Sequence, residues 1–518
     1  MESTENRTEE RQIGEFRVKP FDHQFKYISI SSRKRYYANG SEQGVGKSYM
    51  EINTIARLWG ADRINSVLIF APNGVHLNWY YNEIPEFMPD YVRYISAAWS
   101  SKAKSDMKQK MQKLFHETDS TKLRIFCVNW EAIQTSRGQR VVKQFCESST
   151  KLMIVCDESH YIANPNSVRY KFLESIRHHS VARRIMSGTI MFNSPFDLFS
   201  QYSFLDPHIL ETSSYFAFKA EYGVMSDERS YVVKNIMKKI EEKTGKKPKR
   251  APQIIQKDDN GRPMYRNLDR LEKLISPYTY RVLKKDCLDL PDKLYTNSYY
   301  EMTPKQDEAY TLMKEECRVM FEDGYTTSVS KMNAVGKLLQ ITSNFIIDTE
   351  AKTVMTIDPE ENPKLDILKS RITEECIENG ASIIVFAWFR HEINQIANLC
   401  RDMNISFRQY HGGTDNESRM EAISSFQEGN VSVFIAQIKA AATGITLTRA
   451  SRVVYYTDTF SLGLHNQSED RPHRIGQKNC VVYESLICKG AIDERMMEAR
   501  RHKQDTFDYL MGDVRRLG

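Results

Sequence analysis

The chain of 518 residues is 41% hydrophobic and 27% charged, and its 73 basic and 67 acidic residues leave a formal net charge of +6. Its length predicts more than one domain, since ordinary domains have ~100–200 residues, and the small positive excess permits nucleic-acid binding without requiring it. No run approaches ~18 apolar residues, so the sequence indicates no transmembrane helix. The N-terminus is polar and acidic, so it indicates no secretory signal. The nine cysteines include no Cys-x-x-Cys pair, so neither a disulfide framework nor a zinc site is indicated.

A phosphate-binding loop is predicted close to the N-terminus. A short apolar run at 36–39 is followed by a glycine turn and then by a helical pattern, and the turn contains Gly44, Val45, Gly46, Lys47 and Ser48. Strand, glycine turn and helix form the context in which backbone N–H groups approach phosphate. Lys47 would reach the β- and γ-phosphates, and the Ser48 hydroxyl would hold Mg²⁺. Ser41 replaces the first glycine of the usual pattern, so an ordinary glycine-rich turn is the alternative at this point.

Apolar, β-branched runs alternate with helical patterns in both halves of the chain. They lie at 67–70, 123–128, 152–156 and 184–187, and at 383–386, 431–435, 453–456 and 481–483. Such alternation is typical of buried parallel strands in βαβ units. It predicts an α/β fold with two parallel-sheet lobes. The segment between them contains a basic run at 238–250, interpreted as a solvated loop or, alternatively, as an arm that contacts phosphates.

An acidic pair ends the run at 152–156. A carboxylate at the C-terminal edge of a parallel strand faces the ligand crevice, so Asp157 is predicted to hold Mg²⁺ and Glu158 to polarise the attacking water. A helix N-cap is the alternative for an isolated acidic pair, but Lys47 upstream favours the nucleotide site.

Two weaker signals lie beside these motifs. Ser187, Gly188 and Thr189 follow an apolar run, where short hydroxyl side chains can link a nucleotide site to a cleft, although such a triplet is typical of an ordinary turn. Gln24 lies upstream of the glycine turn, and its amide offers both a donor and an acceptor to an adenine edge.

Two arginines, Arg471 and Arg474, lie in the polar stretch 467–477. Arginine stays protonated and binds phosphate oxygens through two N–H groups, although a basic run alone could be a solvated surface. The glycine turn, the acidic pair and these arginines together provide a cradle, a metal holder, a water activator and a stabilising charge. Because they come from different halves of the chain, the sequence predicts an ATP site between two lobes, as in a motor.

The order of these motifs resembles that of superfamily-2 nucleic-acid motors, specifically the SWI/SNF-related ATPases, over residues 15–500. The residues that carry the resemblance are Gln24, the loop 42–48, Asn78 and Trp79 after Pro72, and the motifs at 157–160, 187–189, 444–447 and 467–477. The Glu-Asp-Arg-x-His-Arg form of the last motif is most similar to the annealing-helicase branch. Departures at Ser159, Ile190, 441–442 and 460–462 remove no catalytic group.

The resemblance implies two RecA-like lobes at 1–212 and 296–495, a helical insertion at 213–295, further helices near the start of the second lobe, and a helical tail at 496–518. It implies ATP and Mg²⁺ as cofactors. The residues expected to bind ATP include Gln24 and Gly444, and those expected to couple the lobes are His160, Ser187, Gly188, Thr189 and Gln467. The residues expected to contact DNA are Pro72, Asn73, Asn78, Trp79 and Thr446.

The function that we expect is that of a DNA-dependent ATPase that translocates on DNA. Duplex DNA is favoured, forked or single-stranded DNA is the alternative, and RNA is less expected. It would remodel or anneal nucleic acid or protein–DNA complexes. A strand-separating helicase is the alternative. An idle DNA-binding scaffold is disfavoured because the catalytic side chains are present, and a P-loop kinase because the second lobe carries the arginine pair. The compact chain fits a bacterial or viral member, in the cytoplasm of a bacterium or an infected host and associated with the nucleoid.

Overall fold

The computed structural model describes residues 16–100, 105–188, 190–191, 194–227, 233–234, 237–238, 241, 253–258, 263–288, 290–322, 328–348, 353–441, 445–474 and 476–510. Most of the basic run at 238–250 lies outside the described residues. The chain divides into two compact units. The first comprises the chain as far as Cys287 together with the segment from His502, and the second is Leu288–Arg501.

A seven-stranded parallel sheet forms the centre of the first unit. Its strands in chain order are β1 (Tyr36–Asn39), β2 (Ser66–Ala71), β3 (Tyr94–Ala98), β4 (Leu123–Asn129), β5 (Leu152–Asp157), β6 (Ser180–Met186) and β7 (Thr279–Tyr280). The order across the sheet is β3-β4-β2-β5-β6-β1-β7, and each neighbouring pair is parallel. Strands β2 and β5 are buried along their whole length, as expected for central strands with both faces covered.

Helices cover both faces of this sheet. They are α1 (Asp22–Ser31), α2 (Lys47–Gly60), α3 (Val75–Asn78), α4 (Ile84–Phe87), α5 (Ser105–Phe115), α6 (Ser136–Glu147), α7 (Val168–Ile176), α8 (Leu198–Leu205), α9 (Tyr215–Tyr222), α10 (Leu268–Ile275) and α11 (Lys284–Cys287). A π-helical turn, Trp79–Glu83, joins α3 to α4. Side chains of β2 alternate between two apolar clusters, with Leu68 and Phe70 in one and Val67 and Ile69 in the other, because successive strand residues point to opposite faces.

A buried ion pair holds α2 against the sheet. Glu51 on α2 and Arg184 on β6 are fully buried, and Arg184 Nε lies 3.6 Å from Glu51 Oε1. The Tyr27 hydroxyl on α1 donates to Glu51 Oε2 at 2.7 Å. Because a buried charge without a partner is costly, these contacts fix α1, α2 and β6 relative to one another.

The second unit contains a six-stranded parallel sheet and a small hairpin. Its strands are β8 (Lys293–Tyr300), β9 (Phe345–Asp348), β10 (Thr353–Thr356), β11 (Ile383–Ala387), β12 (Phe407–Tyr410), β13 (Val433–Gln437), β14 (Arg452–Tyr455) and β15 (Val481–Cys488). The sheet order is β12-β13-β11-β14-β15-β8, with every pair parallel, and β9 pairs antiparallel with β10. The helices are α12 (Pro304–Glu322), α13 (Ser328–Thr342), α14 (Pro363–Ile372), α15 (Arg390–Asp402), α16 (Asn416–Glu428), α17 (Ile438–Ala441), α18 (Leu462–Glu469) and α19 (Ile492–Leu510).

The predicted α/β fold with two parallel-sheet lobes is confirmed by these two sheets. The predicted limits of the lobes stay a prediction, and two strands bear on them. Strand β7 lies in the segment 213–295 and completes the first sheet, whereas β8, in the second sheet, begins at Lys293. Among the helices of the described residues, none is both long enough and apolar enough to cross a membrane.

Candidate nucleotide-binding site

The glycine turn lies between β1 and α2, at the C-terminal edge of the first sheet. Gly44 has φ of 82° and Gly46 has φ of 85°, left-handed values that favour glycine. A Cβ at Gly46 would lie 2.3 Å from Gln24 Nε2. Gly46 caps α2, which begins at Lys47, so the loop precedes a helix N-terminus whose N–H groups favour an anion. Ser41, which replaces the usual glycine, has no left-handed backbone, and its N–H donates to Asn39 Oδ1 at 3.2 Å.

Lys47 lies inside this loop. Its Nζ donates to the carbonyl oxygens of Ser41 at 3.1 Å and Glu42 at 3.0 Å. Gly188, predicted to couple the lobes, packs directly against the same loop, because a Cβ there would lie 2.5 Å from Gln43 Cγ and 3.4 Å from Lys47 Nζ. The structure therefore brings Gly188 to the loop. Thr189 lies outside the described residues.

Gln24 on α1 also contacts the loop. Its Oε1 accepts from the Phe21 N–H at 3.1 Å, and its Nε2 donates to the Val45 carbonyl at 3.1 Å. The ring of His23, through Nε2, lies 3.0 Å from the same carbonyl. Gln24 therefore supports the buried Val45, and its contact with adenine stays a prediction.

The Asp157 carboxylate is held on both oxygens at the end of β5. The Trp79 indole N–H donates to Oδ2 at 3.0 Å, and the backbone N–H of Glu158 donates to Oδ1 at 3.0 Å. A second indole, that of Trp130, donates to the backbone carbonyl of Asp157 at 3.0 Å. Neither tryptophan contact was expected from the sequence, because each depends on residues brought together by the fold.

Glu158 is the centre of a second set of contacts. Its backbone is left-handed, with φ of 51°, which directs the side chain away from the strand. Oε1 accepts from Gln43 Nε2 at 3.2 Å, Oε2 accepts from Ser187 Oγ at 3.0 Å, and His160 Nδ1 lies 3.3 Å from Oε2. The carboxylate therefore joins the loop to the predicted coupling residues Ser187 and His160.

The two carboxyl groups have opposite pKa shifts. Burial and the negative charge of Glu158 raise the pKa of Asp157, and the Trp79 hydrogen bond opposes this only in part. Burial also acts against ionisation of Glu158, but the hydrogen bond and charge of His160, with the charge of Lys47, outweigh it and lower the pKa of Glu158. Glu158 is therefore the carboxylate that stays ionised, and Asp157 is the one that a cation would stabilise.

Ser48 and Asp157 provide a fitting donor set for Mg²⁺. Ser48 lies in the first turn of α2 and Asp157 ends β5. Both offer oxygen, the ligand type that Mg²⁺ prefers, and Mg²⁺ in nucleotide sites takes one or two protein ligands together with phosphates. Within the described residues, no group of three or more His, Cys, Asp or Glu side chains could hold a metal ion by itself.

The predicted arginines lie in the second unit, just after α18. Arg471 is 2% exposed, and its Nε donates to the Gln467 carbonyl at 2.8 Å. Its backbone carbonyl accepts from the Leu447 N–H at 3.0 Å. Arg474 is partly buried, with Nε donating to the Asp470 carbonyl at 2.9 Å and one terminal nitrogen donating to Thr446 Oγ1 at 3.3 Å. The predicted motifs at 444–447 and 467–477 therefore pack against each other, although Gly444 lies outside the described residues.

A partly buried histidine on α18, with its side chain 14% exposed, was missed by the sequence reasoning. His465 Nδ1 lies 3.0 Å from Asp458 Oδ1, and its Nε2 lies 2.9 Å from Glu469 Oε1. Each carboxylate also has a cation, Arg500 at 2.6 Å from Asp458 and Lys293 at 3.1 Å from Glu469. The spacing of His465 and Glu469, four residues apart on a helix, was the available signal.

The five residues predicted to contact DNA differ in exposure. Trp79 is fully buried and hydrogen-bonded to Asp157, and Pro72 is buried as well. Asn73 is exposed, and Asn78 is partly exposed with its Nδ2 donating to Glu83 Oε1 at 2.9 Å. DNA contacts by these residues and by Thr446 stay predictions.

Two family models match the chain. Residues 40–347 match the SNF2-related domain, and residues 349–476 match the helicase conserved C-terminal domain. An uncharacterised ATP-dependent helicase of Mycoplasma pneumoniae is 24% identical over 94% of this chain and 43% of its own length. The ATP-dependent helicase fft3 of Schizosaccharomyces pombe is 22% identical over 89% of this chain and 53% of its own length.

The chain spans about half, or less, of the curated relatives that it matches. Among solved structures, the SWI2/SNF2 ATPase core of Sulfolobus solfataricus in complex with double-stranded DNA is 23% identical, with a TM-score of 0.38, over 96% of this chain and 94% of that one. Because this TM-score is low, the description of the fold is based on the two sheets and not on this similarity.

Proposed function

Since the chain belongs to the SNF2-related family, we propose that it is an ATP-hydrolysing motor that moves along DNA. The observation that carries the proposal is the set of contacts around Glu158, where the glycine loop, the end of β5 and the residues after β6 meet through Gln43, Ser187 and His160. A partly buried carboxylate that joins three motifs is more than an N-cap or an ordinary turn needs, and it suits a site that hydrolyses a nucleotide.

In the first unit, the loop and Lys47 would bind the β- and γ-phosphates of ATP. Ser48 and Asp157 would hold Mg²⁺, which supplies positive charge to the phosphates when bound. Glu158 would orient and polarise the attacking water. Its lowered pKa makes it a poor final acceptor for a proton but keeps it ionised as a hydrogen-bond acceptor, and orienting the water is what this reaction requires.

In the second unit, Arg474 is our choice for the group that stabilises charge on the transferring phosphoryl group. Arg471 would act with it mainly by holding the segment 445–447, because its side chain is buried and donates to backbone carbonyls of the same unit. Arginine contributes charge at every physiological pH. Hydrolysis would then depend on residues of both units.

DNA is the partner that we propose, in duplex form. Matching relatives are described as ATP-dependent helicases and as a CHD3-type chromatin-remodeling factor, which supports nucleic acid as the substrate. Movement along a strand depends on phosphate contacts, which carry little sequence information. We therefore expect low sequence specificity and strong dependence of DNA affinity on salt.

Strand separation is a second candidate, because the relatives' names include helicases. One experiment addresses both functions: ATP hydrolysis by the full chain, measured with no nucleic acid, single-stranded DNA, duplex DNA, forked DNA and RNA, with Mg²⁺ or with a chelator. We expect Mg²⁺-dependent hydrolysis stimulated most by duplex DNA, and no release of the labelled strand from the fork. A rate of ATP hydrolysis that no nucleic acid changes would contradict the proposed motor, and release of the labelled strand would favour the helicase.

A further inference from the structure

The π-helical turn Trp79–Glu83 connects the surface of the first unit to the metal-holding carboxylate. On the inner side, Trp79 is fully buried and donates its indole N–H to Asp157 Oδ2 at 3.0 Å. On the outer side, Tyr81 is 57% exposed and Asn82 is exposed as well. π-Helical turns are rare and occur often at functional sites.

The inner contact is rigid because the indole ring has little freedom. It packs in an apolar cluster with Ile69, Ile84 and Val155, and such clusters are close-packed. The other oxygen of Asp157 accepts from the backbone N–H of Glu158. The orientation of this carboxylate therefore depends on where the turn places the indole.

The outer surface of the turn offers groups that suit a nucleic-acid backbone. Asn82 Nδ2 donates to Asn78 Oδ1 at 2.8 Å, and Asn78 Nδ2 donates to Glu83 Oε1 at 2.9 Å. These two hydrogen bonds connect the exposed Asn82 to Glu83, the last residue of the turn. Amides and tyrosine hydroxyls donate to phosphate and sugar oxygens. A ligand bound to these groups would contact the same turn that carries Trp79.

We propose that Trp79 is a positioning residue that couples nucleic acid bound on this outer surface to the metal-holding carboxylate of Asp157. The inference rests on the proposed function, which supplies both the nucleotide and the DNA. Hydrogen bonds weaken steeply with misalignment, so a small movement of the turn changes how well Asp157 is held. A hydrogen bond to a charged group contributes enough to change an affinity by about tenfold or more.

The test uses Trp79→Phe in the full chain, which keeps an aromatic ring but removes the indole N–H. The affinity for a fluorescent, non-hydrolysable ATP analogue is titrated against Mg²⁺, with and without duplex DNA. In the wild type, we expect DNA to change the affinity, and nucleotide to change DNA affinity by the same factor, as linkage requires. In Trp79→Phe, we expect that factor to fall towards one and the Mg²⁺ requirement to rise by about tenfold, with DNA affinity in the absence of nucleotide unchanged.

Trp130→Phe is the matched control, because it also removes a buried indole N–H near Asp157, but one that donates to the backbone carbonyl. It should keep the coupling factor. Tyr81→Ala, at an exposed position, should lose the coupling while keeping the Mg²⁺ requirement. Unchanged coupling in Tyr81→Ala or in folded Trp79→Phe would overturn the inference, as would equal loss in Trp130→Phe. If DNA does not change the nucleotide affinity of the wild type, both the inference and the proposed function are wrong.

Discussion

Replacing His465 by asparagine removes the cation between two buried carboxylates of the second unit. The imidazole lies 3.0 Å from Asp458 and 2.9 Å from Glu469, and Arg500 and the ring of Tyr455 also face it. Burial and the charge of Arg500 lower the pKa of His465, but the two carboxylates outweigh them and raise it. The raised pKa of His465 favours the protonated imidazole, which links α18 to Asp458 after β14.

The loss of stability on replacing His465 depends on which cations Asp458 and Glu469 still have as partners. A hydrogen bond to a charged group contributes about 1.5–3 kcal/mol, so two such bonds suggest about 3–6 kcal/mol. Asp458 retains Arg500 and Glu469 retains Lys293, so neither carboxylate is left without a cation, and asparagine can still donate one hydrogen bond. We therefore expect the free energy of unfolding to fall by about 2–3 kcal/mol at pH 6.

The pH dependence gives this prediction its sign. A histidine whose pKa is raised on folding stabilises the protein fully below its unfolded pKa, roughly 6.5, and loses that contribution as the pH rises through the folded pKa. The difference between wild type and His465→Asn should therefore be largest near pH 6 and shrink at alkaline pH. It is measured by urea unfolding at several pH values and by hydrogen exchange of the α18 amides.

His411→Asn is a suitable control on the same unit. Burial and the charges of Arg390 and Arg419 lower the pKa of His411, so its removal should have the opposite pH trend. An unfolding difference for His465→Asn that stays constant from pH 6 to pH 9 would refute the imidazolium bridge.

Five further substitutions test the nucleotide site. Lys47→Ala should abolish ATP turnover while leaving DNA binding, measured by fluorescence anisotropy, intact; retained turnover contradicts the phosphate loop. Glu158→Gln should bind ATP but hydrolyse it about 10²–10⁴ times more slowly, and loss of binding would mean that its role is wrongly assigned. Gly188→Ala should weaken binding of a fluorescent ATP analogue, because its Cβ would collide with Gln43; unchanged affinity contradicts the close packing. Arg474→Ala should lower kcat by about 10³–10⁵ while nucleotide affinity stays within tenfold of the wild type. Arg471→Ala removes a buried side chain and should also lower the unfolding temperature. Equal unfolding temperatures for Arg471→Ala and Arg474→Ala would contradict that difference.

The sequence predicted the central strands of both sheets and missed the strands at their edges. Predicted runs coincide with β2, β4, β5 and β6, and with β11, β13, β14 and β15. The strands that were missed include β3, β7, β8 and β12, which are the four edges. A central parallel strand is buried on both faces and is continuously apolar. An edge strand needs no such run, and β8 is exposed over most of its length.

The site was predictable to the extent that its residues lie in local motifs. The glycine turn, the acidic pair and the two arginines each occupy a short segment with a recognisable pattern. The groups that orient them do not. Trp79 and Trp130 meet Asp157 from elements 78 and 27 residues away, and Gln43 meets Glu158 across 115 residues. Such contacts follow from sheet order, which a single sequence does not specify.

One departure from the family pattern, Ser159, is explained by a contact with the side chain of Gln201. Ser159 Oγ is buried and donates to Gln201 Oε1 at 2.6 Å, and Gln201 Nε2 donates to the Ile190 carbonyl at 2.6 Å and to the Asp197 carbonyl at 2.8 Å. A buried hydroxyl without a partner would be costly, so the serine is stable only because Gln201 accepts from it. The amide in turn holds the backbone after Gly188. The residue after Glu158 and the segment that packs on the phosphate loop are thus joined through Gln201, which gives Ser159 a structural role beside the proposed site.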